Sequence, residues 1–285
     1  MVVTIDLIVE GVHFRRDLSS WEDVGWKAVA VNVSDLAAMG ADPTAVVVGL
    51  CRPRDLHEDD VVALYRGLRA ACDRWGLRLV GGDTVSGPTT VVSVTAIGEV
   101  EQGAAVTRAG ARPGDRIVVV GTLGAAAAAL MQVHAGVEPD PALLAAHRRP
   151  MALPAAGRAL AAQGARAMID VSDGLGADLG HICEDSGAGA GIGARVVAAA
   201  LPVAPGALEA GGWELVCGGG EDFALVAALP PEWAETAALA AAAAEGVPAA
   251  VVGEITACPG VVLVLPDGGR LVLDRMGYDH FSGQP

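Results

Sequence analysis

The sequence predicts two α/β domains, and three observations support this. Runs of Val, Ile and Leu with strand character alternate with stretches of helical periodicity along the chain. The hydrophobic fraction is 52%, drawn largely from Ala and Val, with only 4% aromatic residues. The length of 285 residues suits two units of roughly 100–200 residues each. The polar, glycine-containing stretch over residues 101–115 marks the boundary, giving expected domains at 1–105 and 106–285.

In the first domain, Val2-Val3-Thr4-Ile5-Asp6 reads as a strand with an aspartate at its end, ahead of Glu10-Gly11-Val12-His13-Phe14. Val29, Val31, Val33, Leu36 and Met39 predict a buried helix carrying Asp35, ended by Gly40 and Pro43. A carboxylate in so apolar a setting needs a partner, and a cation is a natural one. A strand over 45–50, a helix from Leu56 to Trp75 bearing Tyr65, and a short strand over 77–80 follow. That strand runs into Gly81-Gly82-Asp83-Thr84, which fits a tight turn as well as a phosphate-and-metal loop. Residues 89–100 read as a further strand.

In the second domain a strand over 116–121 leads into a helix, and Pro154 opens another. Ala167-Met168-Ile169 then reads as a strand end before Asp170-Val171-Ser172-Asp173-Gly174, with Leu175, Leu179 and Ile182 at helical spacing. This corner fits an ordinary N-cap as well as a site for phosphate carried on magnesium. Gly189-Ala190-Gly191-Ile192-Gly193 follows a helix and not a strand, so it fails as a dinucleotide fingerprint. A glycine loop, Gly218-Gly219-Gly220, precedes Glu221, a substrate candidate, and Asp222, a turn residue. A helix over 233–245, a strand over 249–255 and a hairpin around Asp267-Gly268-Gly269 lead to Gly277-Tyr278-Asp279-His280-Phe281.

Composition narrows the function classes. A net charge of −15 and a single lysine, Lys27, argue against nucleic-acid binding. The alanine runs at 125–129 and 240–244 are too short to cross a membrane. Five dispersed cysteines without a Cys-x-x-Cys pair read as reduced thiols, and no secretory signal is visible, so a cytoplasmic setting is expected. Walker A fails because Ala28 follows the only lysine, and no His-Glu-x-x-His or Gly-x-Ser-x-Gly is present. What remains is an aspartate-rich site suited to triphosphate screened by magnesium.

The segments 4–6, 10–14, Asn32-Val33-Ser34-Asp35-Leu36-Ala37-Ala38-Met39-Gly40-Ala41, Gly81-Gly82-Asp83-Thr84, 170–175, Gly220-Glu221-Asp222 and 277–281 together resemble the thiamine-monophosphate kinase family, in order over essentially the whole chain. The resemblance implies the two-domain fold of aminoimidazole ribonucleotide synthetase, an N-terminal sheet domain that dimerises plus a C-terminal α/β domain. It implies magnesium-assisted transfer of phosphate from ATP to thiamine monophosphate. By position, Asp6, Asp35, Asp83, Asp170 and Asp173 would hold several Mg2+ ions, with Thr4 and the Ile5 backbone assisting. Asp35 and Asp173 would be central to catalysis. Tyr65, Gly82, Arg108 and Ser172 would contact ATP, and His13, Glu221 and Tyr278 the thiamine phosphate. The family's Gly-Asp-Asp segment ahead of the first strand has no counterpart in the sequence as read. The alternatives are another ATP-using enzyme of the same superfamily, or a nucleotide or thiamine-phosphate binding protein with impaired catalysis.

Overall fold

A computed structural model of the chain describes residues 1–187, 191–274 and 276–278. The first domain is a sheet of β1 (Val2–Val9), β2 (Asp42–Arg52), β3 (Arg78–Ser86) and β4 (Val91–Glu99) in the order β1-β4-β2-β3, with α1 (Trp21–Ala38) and α2 (Glu58–Trp75). Alternation decides which face is covered. Ile8, Val46, Val48, Val92, Val94 and Ala96 are buried toward the helices, whereas Val3, Ile5, Leu7 and Val47 point outward and are exposed.

Helix α1 begins with a reciprocal capping box between Ser20 and Asp23. It is buried nearly all round, because the sheet, α2 and the second domain enclose it. That explains its apolar sequence and makes each polar side chain on it significant.

The second domain carries a seven-stranded sheet in the order β11-β10-β7-β9-β5-β8-β6. Its strands are β5 (Arg116–Val120), β6 (Ala167–Asp170), β7 (Gly193–Val197), β8 (Leu225–Leu229), β9 (Ala249–Thr256), β10 (Gly260–Val264) and β11 (Arg270–Val272). The β7–β10 pair is parallel and the others antiparallel. One apolar layer draws on α3 (Ala125–His134), α4 (Pro141–Arg148), α6 (Leu175–Ser186) and α7 (Ala207–Gly218). The other draws on α5 (Pro154–Ala162) and α8 (Ala234–Glu245), and also takes in Ala37 and Ala38 of α1. Trp26 Nε1 donates to the Pro150 carbonyl at 2.9 Å and Arg149 pairs with Asp23 at 2.5 Å, so α1 forms the seam between domains.

One local expectation changes. Gly81-Gly82-Asp83-Thr84 is not a turn: it pairs with residues 47–50 as the middle of β3, after a bulge at Val46/Val47. The backbone partner supplied by β2 outweighs glycine's poor strand preference. Helices α4 and α7 and strand β7 were not anticipated from sequence. Gly189 and Ala190 of the glycine-rich segment, and Asp279-His280-Phe281 of the terminal one, lie outside the described residues.

Candidate active site

Lys27, Val31 and Asp35 recur every fourth residue of α1 and form one stripe along the domain seam. Thr4 and Asp6 alternate on β1 and face the same helix. Thr4 Oγ1 donates to Asp35 Oδ2 at 2.5 Å, and the Asp6 amide donates to Asn32 Oδ1 at 3.0 Å. Ile5 turns its side chain to the opposite, 59% exposed face, so only its backbone can serve the site.

From the second domain, β6 delivers Asp170, whose Oδ2 accepts from Ser34 Oγ at 2.6 Å. The chain then turns at Gly174 (φ 117°), a left-handed conformation open to glycine, before α6. Neither Ser172 nor Asp173 caps that helix; its N-cap is Gly174, which makes no side-chain cap bond. Asp178 instead reaches back, Oδ2 accepting from the Asp173 and Gly174 amides at 3.1 Å each. Asp178, and not Asp173, therefore satisfies the amides at the start of this helix. The Tyr278 amide donates to the Asp173 carbonyl at 3.0 Å. Alongside, the glycine loop is stitched to the same corner by Glu221 N to Ser172 O and Phe223 N to Val171 O, both at 2.8 Å. A Cβ on Gly220 would lie 2.4 Å from the Ser172 oxygen.

Burial and mutual repulsion dominate the electrostatics. Burial, then Asp35 and Asp173, push Asp6 up to about 6. Burial raises Asp35, with Thr4 pulling the other way. Asp170 is raised well above the usual range by burial and by Asp35, and Asp178 to about 7 by burial and Asp173. Among the described residues no three metal-type side chains close into a ready cage. Magnesium fits such a set nonetheless: it takes one or two carboxylates and completes its octahedron with water and phosphate oxygens.

The carboxylates form a wall shared by two hollows. A cavity of about 360 Å³ on one side is lined by His13, Lys27, Glu221, Phe223 and Tyr278. A cavity of about 440 Å³ on the other is lined by Thr4, Arg108, Asp178 and His181. Asp35, Asp170, Ser172 and Asp173 border both. Arg108 lies at the second rim, paired with Asp185.

Asp83, Gly82 and Tyr65 border neither hollow. Asp83 pairs through Gly49 and Ser93 to Leu7, so it faces outward with Leu7 while Asp6 faces α1. Three strand spacings, about 14 Å, separate β3 from β1. The sheet thus holds Gly82 and Asp83 apart from the acidic wall of the same chain, and Tyr65 lies on α2. Lys27, His147, Asp178, Ser34 and Asn32 are site residues that sequence reasoning missed. The four-residue steps from Lys27 through Val31 to Asp35 were a usable signal for the first.

Glu221 behaves oppositely to the aspartates. Burial alone would raise it, but Lys27 at 2.5 Å and His147 at 2.9 Å bring it down to about 2. His147 Nδ1 lies this close to Glu221 Oε2 without completing a hydrogen bond of ordinary geometry. Asp222 is more than a turn residue. Its Oδ2 accepts from the Gly124 amide at 2.7 Å, fastening the loop to the start of α3.

Family models agree with this architecture: the N-terminal domain of AIR synthase related proteins matches residues 1–100, and the C-terminal domain matches 112–266. The thiamine-monophosphate kinase of Mycobacterium tuberculosis is 45% identical over 81% of this chain and 72% of its own length. That of Bacillus subtilis is 35% identical over 99% of this chain and 88% of its own. The chain belongs to the thiamine-monophosphate kinase family. Among solved members, the Stenotrophomonas maltophilia enzyme superposes with a TM-score of 0.84 at 36% identity, covering 94% of this chain and 85% of that one. A family structure described as AaThiL complexed with AMPPCP and TMP gives 0.83 at 32% identity, covering 98% and 86%. The hydrogenase maturation protein HypE, at 23% identity and a TM-score of 0.79 over 95% of this chain and 87% of that one, shares the fold.

Proposed function

We propose that this chain transfers the γ-phosphoryl group of ATP to thiamine monophosphate, giving thiamine diphosphate and ADP. The observation that carries this reading is one carboxylate wall bordering two hollows. Two phosphorylated molecules, one in each, would meet across it. The relative bound to AMPPCP and TMP supports the same pairing.

In this reading Thr4, Arg108 and Ser172 serve the nucleotide hollow, and His13, Glu221 and Tyr278 the acceptor hollow. Asp6, Asp35, Asp170 and Asp173 would hold magnesium, which when bound supplies charge neutralisation for the triphosphate. An oxygen of the acceptor phosphate forms the new bond to the γ-phosphorus as the bridge to the β-phosphate breaks and ADP leaves. That oxygen is already ionised near neutral pH, so no general base is required, and positioning carries the catalysis. Asp35 and Asp173, which border both hollows, lie where the transfer would occur.

We infer a homodimer through the exposed sheet face. Val3, Ile5 and Leu7 are 53%, 59% and 50% exposed in an unbroken row, and such a face is covered by a second sheet in stable proteins. Asp83 and Gly82, on the outermost strand of that sheet, with nearby Tyr65 on α2, would then serve the partner's site. The five dispersed cysteines, all free thiols, suit a cytoplasmic setting.

A coupled assay for ADP tests the reaction. ADP formation is expected only when ATP, magnesium and thiamine monophosphate are all present, with thiamine diphosphate as product. ADP formed at the same rate without the acceptor would refute the assignment.

A further inference from the structure

Lys27 is the sole lysine of the chain, and only 2% of it reaches solvent. Its Nζ lies 2.5 Å from Glu221 Oε1 and donates to the His13 carbonyl at 2.9 Å. From the other side, His147 of α4 places Nδ1 2.9 Å from Glu221 Oε2. One ammonium thus joins the segment after β1, in the first domain, to the glycine loop of the second, at the wall of the acceptor hollow.

Stability alone does not explain this arrangement. Apolar residues of similar volume generally serve a buried position as well as an ion pair does. The loop is also strained: Glu221 and Phe223 hold φ values of 70° and 50°, left-handed conformations unfavourable to side-chain-bearing residues. Asp222, between them, is tied to α3. A carboxylate with Lys27 against one oxygen and His147 close to the other, on a strained loop facing a hollow, is a group whose direction matters.

We propose that Lys27, seconded by His147, is a positioning residue for the acceptor. It fixes the Glu221 carboxylate relative to the His13 segment, so that the two domains present one spacing to the bound molecule. This rests on the kinase reading of the same site. A direct hold on the acceptor phosphate would be a different role. Two of the three Lys27 donors are already committed to protein oxygens, which disfavours it.

The test starts with wild-type protein, where acceptor-independent ADP formation would sink the kinase reading itself. With that reading intact, Lys27→Met is expected to raise the KM for thiamine monophosphate by about 30-fold or more, while the KM for ATP stays within about threefold. Acting through Glu221, it should lose nothing further once that carboxylate is gone. Lys27→Met/Glu221→Gln is therefore expected to match Glu221→Gln alone. Additive losses in the double variant, an unchanged acceptor KM, or a loss confined to kcat would each overturn the proposal. If Lys27→Met does not fold, the charge-balanced double variant against Glu221→Gln carries the same comparison.

Discussion

Ser34 and Asp170 lie 136 positions apart in sequence and 2.6 Å apart in space. The first is on the buried helix of one domain, the second at a strand end of the other. Their hydrogen bond crosses the seam where the acidic wall forms. Ser34→Ala would leave a fully buried carboxylate without this donor. The expected cost is about 1–3 kcal/mol in denaturant unfolding, with reduced turnover because Asp170 loses its orientation. An unchanged unfolding midpoint would show that the bond contributes nothing.

Asp35→Asn keeps shape and removes one negative charge from a crowded set. Turnover is expected to fall about 1,000-fold, the order seen when a group acting on transition-state charge is removed. The melting temperature is expected to hold or rise, since Asp6 and Asp170 are relieved of a like charge. Near-normal turnover would remove Asp35 from the chemistry.

The sequence showed the acidic corners but not their arrangement. Asp35 was legible because a carboxylate in an apolar helix is conspicuous, and Asp170 and Asp173 because a strand end meets glycine and a helix start. Asp178 was not: a carboxylate in a helix's early turns resembles any solvent-facing one until the fold brings it to the Asp173 amide. His147 lies on a helix too short to announce itself, and its contact with Glu221 spans the second domain. Asp83 shows the opposite failure. Its motif was plain, but only sheet order and alternation reveal which face it occupies.

Proton linkage gives a signed expectation for the ligand-free protein. Asp6 is raised from 3.8 to about 6, and Asp178 and Asp222 from 3.8 to about 7. The folded state therefore binds more protons than the unfolded chain between those values, and stability falls as pH rises through the window. Glu221 works the other way, from 4.5 to about 2, so its contribution is already complete above that window. The melting temperature is expected to be higher at about pH 5 than at about pH 8. Magnesium with a non-hydrolysable ATP analogue should narrow the gap by supplying the positive charge that protons otherwise provide. A metal-free melting temperature that rises with pH would contradict the burial and repulsion that raise these carboxylates.

Asp83 faces away from Asp35 in a single chain, so any joint action requires a second copy, and subunit mixing can detect it. In the proposed dimer, the Asp35→Asn and Asp83→Asn forms are each expected to be nearly inactive. A heterodimer of the two contains one site with both carboxylates intact and one with neither. After exchange at equal concentrations half the dimers are mixed, so about a quarter of wild-type activity should return. The same mixture in a background of Ile5→Asp, which places charge in the apolar sheet face away from both hollows, should recover nothing, because the copies no longer meet. No recovery between the single variants, with native mass spectrometry of one isotope-labelled variant showing that they do exchange, would confine Asp83 to a role within its own chain.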